Sequence, residues 1–479
     1  MPYKDMREFI SLLEAKELLA RVSVEVDPEW EINGVTHAVT SEGGPAVLFD
    51  NVKGTTTPVL AELFGRSWRR LALAMDLDTE DQVAIRSEWI RRIGNPIAPV
   101  EVQTGPCKEN VLTGDQASLD GLFPMIRWHA HDGGYYLGTL GMLVTADAET
   151  GDQNVGCYRM MYRSRTETGL MMQPFQGGAQ HLEKWGRLHP GIPMPVAVVF
   201  GADPCYVLAG GSKFEQPPGE DAYAGGLRQQ AIELVKCQTS DLKVPANAEI
   251  ILEGEVMPGE MDKDGPFGEF TGFLDHQSRC NIFRLKAITH RDNPIFHGER
   301  EGYPSEGGLM YILGMEPVVL KKLESVGGVL DVHMPLSGVG FELVISMRVT
   351  SKGQVRQTIQ KVFGDSDVGG YIKHITVVGE GIDIRNRDDV AWAVATHVQA
   401  DRDLMIIPRC PQTSLDVSQT RRNWGTKMGI DATGPIFDYE EEGKVFPALC
   451  DDPDIRARVK AQWDRYGIRL SGAISVHGG

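Results

Sequence analysis

The chain has 479 residues, of which 42% are hydrophobic and 24% charged, as is ordinary for a globular protein with a sizeable core. Its formal net charge is −18 and no basic stripe offsets it, which argues against nucleic-acid or acidic-membrane partners. No apolar run is long enough to span a bilayer, and the first residues lack the apolar core of a signal peptide.

Helix and strand patterns alternate over the first hundred residues. Apolar spacing predicts an amphipathic helix over residues 4–20, a strand at "PAVLFDNV" and a helix at "SWRRLALAMDL". The connector "IGNPIAPVEVQTGPCKENV" contains Pro and Gly and ends this region near residue 100. We therefore expect an N-terminal α/β domain over residues 1–103.

The pattern changes between residues 104 and 304. Short β-rich runs separated by glycine clusters predict a barrel or closed sheet: "LGMLVTAD", "PVAVVFGAD", "AEIILEGEV" and "NIFRLKAITHR". From residue 305 to 479 helices and strands alternate again: "EPVVLKKLESV", "FELVISMRV", "QVRQTIQKVF", "HITVVGEG", "RDDVAWAVATHV" and "DLMIIP". This alternation predicts a separate C-terminal α/β domain.

Seven cysteines are scattered singly along the chain and form no CxxC pair: Cys107, Cys157, Cys205, Cys237, Cys280, Cys410 and Cys450. An odd, dispersed set fits a reducing compartment better than a disulfide framework or a zinc knuckle. The cysteines therefore indicate a cytoplasmic protein.

The stretch "DGPFGEFTG" sets Asp264 and Glu269 on either side of a Gly-Pro-Phe-Gly hinge. Pro266 has a fixed φ, and Gly265 and Gly268 reach φ values that are costly for other residues. Such a segment can hold both carboxylates at a set angle toward a pocket. The alternative is a surface turn with solvated acids.

Three further stretches carry polar groups of the kinds that bind Mn²⁺ or Mg²⁺. "QNVGCYRMMYRSR" contains Asn154 and Arg159, "GGAQHLEKW" contains His181, and "PPGEDAYAGGLR" contains Glu220. Each candidate ligand also has an ordinary structural role open to it. Asn154 fits a turn or cap, His181 a satisfied surface or core group, and Glu220 the first turn of a helix.

Two glycine-marked stretches lie near the C-terminus. In "NWGTKMGIDATGP", Lys427 can reach a phosphate as a point charge, and the alternative is a solvated lysine in a loop. "GEGIDIRNRDD" lacks the alternating acids of an EF-hand, so it predicts a strand-to-helix turn with acids at the helix N-terminus.

Taken together in chain order, these motifs resemble the UbiD family of reversible decarboxylases, which use prenylated FMN. The order is NxGxYR, QH, GE before AGGLR, "LVKCQTSDLKVPANAEIILEGEV", [DE]GPFGE and KMGIDAT. The likeness extends to "DPDIRARVKAQWDRYGI" and covers essentially the whole chain. Six separated elements in the family's order make the resemblance specific.

The resemblance implies a site for metal and cofactor. Asn154, His181 and Glu220 match the positions that hold a divalent metal, usually Mn²⁺, against the cofactor phosphate, with Mg²⁺ and K⁺ as further candidate cations. His189 is the alternative to His181, because this loop varies in length. The implied cofactor contacts also include Val155, Gly156, Cys157, Tyr158 and Arg159 on one strand, Gln180 before the metal histidine, and Lys427 near the phosphate.

The resemblance also assigns the catalytic roles. Arg159, Asp264 and Glu269 match the family's Glu–Arg–Glu network. Glu269 is then the general acid, Arg159 binds the substrate carboxylate and orients Glu269, and Asp264 anchors Arg159. Asp264 is a departure, because most of the family has Glu there, so this carboxylate is one methylene shorter.

The implied activity is the decarboxylation, in a reversible reaction, of an aromatic, heteroaromatic or α,β-unsaturated carboxylic acid to release CO₂. The prenylated FMN is needed because the electron pair left on an sp² carbon lies in the ring plane and must be accepted by a cofactor. Two alternatives stay open: a flavin-binding oxidoreductase on the same barrel, and a non-catalytic subunit of a multi-component carboxylase.

The family fold adds detail to the pattern. It implies an N-terminal α/β domain, a central split β-barrel like that of flavin reductases over residues 104–304, and a C-terminal α/β domain over 305–479. That last domain would form a homodimer or a higher homo-oligomer, with its tail packed back on the barrel. A prenylated-FMN synthase would supply the cofactor.

Overall fold

The structure, a computed structural model, describes residues 3–174, 176–214, 216–351, 353–434 and 453–467, which form a mixed α/β fold. The chain divides into two compact units, Met1–Pro317 and Val318–Gly479. The division into three domains drawn from the sequence stays a prediction. No helix of the described residues is both long and apolar enough to cross a bilayer.

Helices and short strands alternate over the first hundred residues, as predicted. The elements are α1 (Met6–Ala15), β1 (Leu19–Val22), α2 (Glu31–Ser41), β2 (Ala46–Phe49), β3 (Val59–Ala61), α3 (Trp68–Ala74) and α4 (Gln82–Ile93). The opening helix is shorter than its apolar pattern predicted. Asp5 caps its start by accepting from Glu8 N at 3.1 Å, and the chain leaves it after Ala15 to enter β1.

Strands β1, β2 and β3 form a four-stranded sheet with β18 (Phe296–Gly298), in the order β1-β2-β3-β18. β3 and β18 run parallel, with Leu60 opposite His297. The C-terminal ends of these two strands therefore lie at one edge of the sheet. Glu62 directly follows β3, and Glu299 directly follows β18.

The region between residues 100 and 300 is dominated by strands, as predicted. Its strands are β4 (Val100–Val102), β5 (Asn110–Thr113), β6 (Tyr136–Gly138), β7 (Met142–Ala146), β8 (Gln153–Cys157), β9 (Met160–Ser164), β10 (Glu167–Leu170), β11 (Met194–Phe200), β12 (Glu233–Lys236), β13 (Lys243–Pro245), β14 (Ile250–Asp264), β15 (Phe267–Gly268), β16 (Leu274–Asp275) and β17 (Ser278–His290). Its helices are α5 (Gly177–Leu188), α6 (Pro204–Gly210) and α7 (Glu220–Arg228).

Nine of these strands form one sheet in the order β6-β9-β10-β17-β14-β11-β7-β8, with β5 paired to β17. The series of hydrogen-bonded strands begins at β6 and ends at β8. The barrel predicted from the sequence stays a prediction. β13, β12 and β4 form a separate three-stranded sheet, and β15 pairs with β16.

β14 and β17 carry the predicted hinge beyond the body of the large sheet. Ile250–Val256 pairs with the second half of β17, and the register then shifts between Val256 and Met261. Past the shift, residues 261–264 pair with residues 278–281, and we call this extension the arm. The hinge and the β15–β16 hairpin lie at its tip.

The second unit is a five-stranded sheet with helices. After α8 (Glu306–Leu323) come β19 (Val329–His333), β20 (Glu342–Met347), α9 (Gln354–Gly364), β21 (His374–Gly379), α10 (Arg387–His397), α11 (Ala400–Asp403), β22 (Leu404–Pro411), β23 (Trp424–Ala432) and α12 (Pro453–Ala461). The strand order is β19-β20-β21-β23-β22.

The predicted turn between β21 and α10 is confirmed, since Asn386 accepts from Asp388 N at the start of the helix. Of the predicted tail, residues 435–452 and 468–479 lie outside the described residues.

A close backbone contact holds the hinge against the loop of residues 129–134. Gly133 N donates to Pro266 O at 2.7 Å, and a Cβ at Gly133 would lie 2.2 Å from Gly265 O. Gly133→Ala should therefore displace the hinge and lower the free energy of unfolding by about 1–3 kcal/mol. Denaturant unfolding measures this change.

Gly134→Ala is the matched control, because its Cβ would meet its nearest atom, in the flexible Met161 side chain, at 3.4 Å. Equal stability of the two alanine variants would contradict the close contact.

Candidate functional site

One arginine lies among three carboxylates. Arg159 follows β8 and donates to Asp264 Oδ2 from Nε at 2.9 Å and from Nη2 at 2.6 Å. Its Nη1 donates to Glu269 Oε1, and Nη2 also reaches Asp275 Oδ2 at 3.4 Å. The side chain of Asp264 is 1% exposed and that of Glu269 14%. The alternative of a turn with solvated acids is therefore wrong.

The hinge produces this arrangement. β14 ends at Asp264, and the next residue, Gly265, has a φ of +81°, which a residue with a Cβ adopts only at a cost. The chain then forms β15, whose pairing with β16 places Phe267 opposite Asp275. The hairpin thus brings Glu269 and Asp275 to the guanidinium that Asp264 holds.

Two aromatic rings support the network. Phe267, inside the hinge, lies with its ring centre 5.0 Å from the Arg159 guanidinium carbon, a cation–π contact. Tyr136 packs on Phe267 with ring centres 4.4 Å apart, and its hydroxyl donates to Asp264 Oδ1 at 3.5 Å. These contacts restrict the guanidinium and its anchor to one geometry.

The shorter carboxylate at position 264 still reaches Arg159 directly. Two N–H groups of the guanidinium converge on the single oxygen Oδ2 of Asp264. The pair therefore differs from the parallel fork in which each carboxylate oxygen takes one N–H. No bridging water is needed to span the missing methylene.

One positive charge cannot neutralise three carboxylates. Burial raises the pKa of Glu269 to about 7; the Arg159 charge opposes this rise and the charges of Asp275 and Asp264 add to it. Burial alone would lower the pKa of Arg159, but the charges of Glu269 and Asp264 outweigh it, and that pKa is raised. Glu269 can therefore carry a proton near neutral pH beside a permanently charged guanidinium.

The three predicted metal ligands come from elements that meet at β7 and β8. Asn154 lies on β8 opposite Thr145 of β7, and Thr145 Oγ1 hydrogen-bonds His181 Nδ1 at 2.9 Å. Glu220, the first residue of α7, accepts from Val155 N at 2.9 Å. The fold therefore brings Asn154, His181 and Glu220 to neighbouring positions.

The donor set fits a divalent cation. The contact with Thr145 occupies Nδ1 of His181 and leaves Nε2 for a ligand, as a supporting partner of a metal histidine does. Asn154 adds an amide oxygen, and a Cβ at Gly177 would lie 2.0 Å from that atom, so a glycine belongs at this point of α5. Burial raises the pKa of Glu220, a cost that a bound cation would offset.

Across the described ranges, no group of three or more His, Cys, Asp or Glu side chains is arranged for a metal. The predicted set contains two such side chains and an asparagine. His189, the alternative ligand, ends α5 two turns beyond His181 and packs on Trp185 with ring centres 4.4 Å apart. The Thr145 contact beside Asn154 favours His181.

The predicted cofactor strand is β8 and the residues after it. β8 is the last strand of its sheet, so its outer edge has no strand partner among the described residues. Cys157 Sγ donates to Thr139 O at 3.3 Å, and the Tyr158 hydroxyl accepts from Gly178 N at 2.9 Å. A Cβ at Gly156 would lie 2.7 Å from the Tyr158 ring.

Gln180 precedes His181 on α5, and both residues line a surface cavity of about 510 Å³. The cavity wall also contains Asp147 and Lys184, whose side chains pair at 2.8 Å. A polar cavity therefore opens beside the predicted metal histidine.

Lys427 lies on β23 in the second unit, and its side chain is fully buried. Its Nζ donates to Gly369 O, to Ile372 O at 2.6 Å and to Gln412 Oε1 at 3.0 Å. The alternative of a solvated loop lysine is therefore wrong. These acceptors take all three N–H bonds of the ammonium, and its contact with a phosphate stays a prediction.

Sequence reasoning missed Asp275 and the role of Phe267. Asp275 is brought to Arg159 by a hairpin whose strands are two residues long, too short for an alternating pattern. The sequence signal for this hairpin was Gly272, which lies in the loop between β15 and β16 and has a φ of +84°.

Replacement of His181 tests the metal site without any substrate. His181→Ala should weaken Mn²⁺ binding by at least about tenfold, because the nitrogen ligand is lost. Calorimetric titration with MnCl₂ measures the affinity, and Mn²⁺ should raise the melting temperature of the unaltered protein but not that of His181→Ala. His189→Ala is the matched control. Wild-type affinity in the first variant and weak binding in the second would transfer the assignment to His189.

Three sequence models of one protein family match the chain. They are the 3-octaprenyl-4-hydroxybenzoate carboxy-lyase N-terminal domain over residues 10–88, the Rift-related domain over 99–304 and the C-terminal domain over 309–432. An uncharacterised protein of Synechocystis sp. is 31% identical, over 97% of this chain and 96% of its own length.

Solved structures agree with the sequence models. Vanillic acid decarboxylase of Sedimentibacter hydroxybenzoicus, in closed form, is 31% identical, with 98% of this chain and 99% of that chain covered and a TM-score of 0.87. HmfF of Pelotomaculum thermopropionicum, a UbiD-class enzyme, in complex with FMN is 30% identical, with 96% and 100% covered and a TM-score of 0.84. Its evolved dimeric form in complex with prFMN is 29% identical, with 94% and 100% covered and a TM-score of 0.80. The chain belongs to the UbiD family of carboxy-lyases.

Proposed function

We propose that this carboxy-lyase removes CO₂, without net oxidation and in a reversible reaction, from an aromatic, heteroaromatic or α,β-unsaturated carboxylic acid, using prenylated FMN. The observation that carries the proposal is the buried Arg159 with Glu269, whose pKa is raised to about 7. Decarboxylation needs a group that orients the leaving carboxylate and a group that protonates the carbon left behind. This pair supplies both.

Arg159 orients the substrate. Of its five N–H bonds, Nε uses one and Nη2 two on Asp264 and Asp275, and Nη1 uses one on Glu269. In the contacts of the described residues, this leaves the second N–H of Nη1 for the substrate carboxylate. A carboxylate bound there lies beside Glu269, because both share one nitrogen.

Glu269 delivers the proton. Its carboxyl is largely buried, so its acid form persists to near neutral pH and bulk water is kept from the reacting carbon. Once CO₂ has left, the O–H bond of Glu269 breaks and the C–H bond forms. Arg159 then stabilises the carboxylate that remains.

The cofactor would lie along β8. Prenylated FMN, when bound, supplies the electron sink that accepts the pair left by CO₂. Residues 155–159 would contact the flavin at the open edge of the sheet, and Asn154, His181 and Glu220 would hold Mn²⁺ or Mg²⁺ against its phosphate. The flavin complexes of HmfF support a flavin as the cofactor of this chain.

Several finer points belong to the same proposal. The central sheet would form a split barrel like that of flavin reductases, and the second unit would form the homodimer. The exposed Ile406 on its edge strand β22 supports such an interface. K⁺ at the cofactor, supply of the cofactor by a prenylated-FMN synthase, and a cytoplasmic location are further parts of the proposal.

The test is a screen of aromatic and acrylic acids for CO₂ release, using protein co-expressed with a prenylated-FMN synthase. Release of CO₂ by the purified chain supports the proposal. NAD(P)H oxidation with free flavin and no CO₂ would instead favour the oxidoreductase. Release only after addition of other subunits would favour a component of a multi-component carboxylase.

Glu269→Gln should retain the cofactor absorbance and lose about 10²–10⁴-fold in kcat, because Gln cannot deliver the proton. In the unaltered enzyme, kcat should fall as the pH rises through about 7, since the acid form of Glu269 is lost there. Steady-state CO₂ release across pH measures both effects. Near-normal turnover by the variant, or exchange of solvent deuterium into the reacting carbon, would exclude Glu269 as the donor.

Asp264→Asn should lower kcat strongly with the cofactor absorbance intact, because Arg159 loses the carboxylate that takes two of its N–H bonds. Asp264→Glu is the matched control, because it keeps the charge and restores the family's reach. It should remain active. Wild-type kcat in both variants would remove Asp264 from the site.

A further inference from the structure

Four more carboxyl groups gather next to the Arg159 network. We call them the acidic cluster: Glu62, Glu299, Glu301 and Glu306. Glu62 and Glu299 follow the parallel strands β3 and β18 at one sheet edge, and Glu306 is the first residue of α8. Ligand-handling groups commonly lie at the C-terminal ends of parallel strands. Glu62 also has a φ of +55°, a conformation that carries a cost outside glycine.

The cluster is largely buried and, among the described residues, no Lys or Arg is in direct contact with it. Glu62 and Glu299 are each 1% exposed and Glu306 is 0% exposed. Within the part of the chain that the structure describes, no Lys or Arg lies within ion-pair distance of any of the four carboxylates, and the single such contact is His297 Nε2 to Glu306 Oε1 at 3.9 Å.

Two arginines near the cluster, Arg70 and Arg300, act on its carboxylates through longer-range electrostatics, and Arg300 Nη1 is buried without a hydrogen-bond partner. Arg70 donates to the carbonyl oxygens of Phe64 at 3.2 Å and Gly44 at 2.7 Å. Arg300 donates from Nε to Asn33 Oδ1 at 2.6 Å. Neither arginine therefore acts as a direct counter-ion.

Polar atoms inside the cluster are unsatisfied. In the described residues, Glu301 Oε2, Glu306 Oε1 and both ring nitrogens of His297 are buried without a hydrogen-bond partner. His297 is 0% exposed, and burial lowers its pKa to about 3, so it stays neutral. A buried carboxylate with neither a cation nor enough donors takes up a proton.

The pKa values of three cluster carboxyls are raised, in agreement with uptake of protons. Burial, followed by the charge of Glu306, raises the pKa of Glu299 to about 8. Burial raises the pKa of Glu306 to about 7, against the backbone N–H groups of Phe64 and Gly65 and the charge of Arg70. Burial, then the charges of Glu299 and Glu269, raises the pKa of Glu301 well above its ordinary value.

The cluster adjoins the catalytic acid. Thr139 connects it to the cofactor strand, because its Oγ1 accepts from Glu299 N at 2.8 Å and its carbonyl accepts from Cys157 Sγ at 3.3 Å. The Cys157 thiol stays neutral, since burial and the nearby carboxylates raise its pKa. Glu301 alone of the four is only half-buried, and its carboxyl interacts electrostatically with that of Glu269.

Decarboxylation creates a need for such a group. The substrate carboxylate leaves as neutral CO₂, its electron pair stays on carbon, and the proton that completes the C–H bond comes from Glu269. Each turnover therefore leaves Glu269 as an anion. Its side chain is only 14% exposed and held by Arg159, so a neighbour that returns a proton speeds its reprotonation at a pH where solvent supplies few protons.

We propose that the acidic cluster is the proton store of this site and that Glu301 returns a proton to Glu269 after each turnover. The O–H bond of the Glu301 carboxyl breaks, the O–H bond of Glu269 forms, and solvent reprotonates the Glu301 anion. In the reverse direction the same groups carry the proton outward. The transfer of the proton to Glu269 rests on the proposed function. The protonation of the acidic cluster does not.

Infrared spectroscopy of the cofactor-free protein tests the storage. The unaltered protein should show the carbonyl band of protonated carboxyl groups at neutral pH, and Glu301→Gln should reduce that band. Glu42→Gln, at an exposed position, is the matched control and should leave it unchanged. Absence of the band at neutral pH would overturn the proposal, whether or not the protein releases CO₂.

Kinetics of the loaded enzyme test the return of the proton. Glu301→Gln should lower kcat by about tenfold near pH 8 with KM unchanged, and by less than about twofold near pH 6, where solvent can reprotonate Glu269. Its solvent deuterium isotope effect on kcat should increase. Glu301→Asp, which retains a carboxyl group, should recover most of the loss. A wild-type pH profile and isotope effect in Glu301→Gln would overturn the role of Glu301.

Discussion

A single guanidinium shared by three buried carboxylates is the constraint on which the rest of the site depends. Breaking a buried ion pair leaves an uncompensated charge, so the positions of Arg159 and Asp264 are strongly determined by each other. The three carboxylates carry more negative charge than one guanidinium neutralises. Protonation of Glu269, whose pKa is raised to about 7, lowers that excess. The anchor and the acid are thus two results of the same imbalance of charge.

The residues around Arg159 maintain this excess of negative charge. The hinge turns the chain so that two carboxylates face one cation, and the ring of Phe267 covers the guanidinium and excludes water. The acidic cluster extends the same principle, since none of its carboxyl groups forms an ion pair with a Lys or Arg among the described residues, and Glu62, Glu299 and Glu306 are buried. A region rich in acids and poor in counter-ions retains protons at a pH where exposed carboxyls have lost them.

Local patterns in the sequence predicted local structure well. Runs such as "PVAVVFGAD" and "FELVISMRV" became β11 and β20, because a buried strand needs a continuous apolar stretch. Strand order could not be predicted, since the pairing of β3 with β18 joins segments far apart in the chain. Two-residue strands such as β15 carry no periodicity at all.

The site divides in the same way. Arg159, Asp264 and Glu269 were found because they lie in compact motifs, and the structure brings them together. Asp275 and the burial of the acidic cluster were not predicted, because the sequence shows where an acid lies in the chain but not whether folding buries it. The roles of the metal and cofactor residues stay predictions, supported by the neighbouring positions of Asn154, His181 and Glu220.

The arm has a consequence for local unfolding. Asp264 lies at its end, with Glu269 and Asp275 on the hairpin at its tip, whereas Arg159 lies outside the arm, between β8 and β9. The register shift between Val256 and Met261 interrupts the ladder between β14 and β17, so the arm can open while the pairing of Ile250–Val256 is kept, with loss of the pairing of Asn281 with Leu170 of β10. Such opening separates Arg159 from all three acids in one event. Hydrogen-exchange rates of the arm amides should therefore depend on the strength of the Arg159 ion pairs, in a protein with no substrate bound.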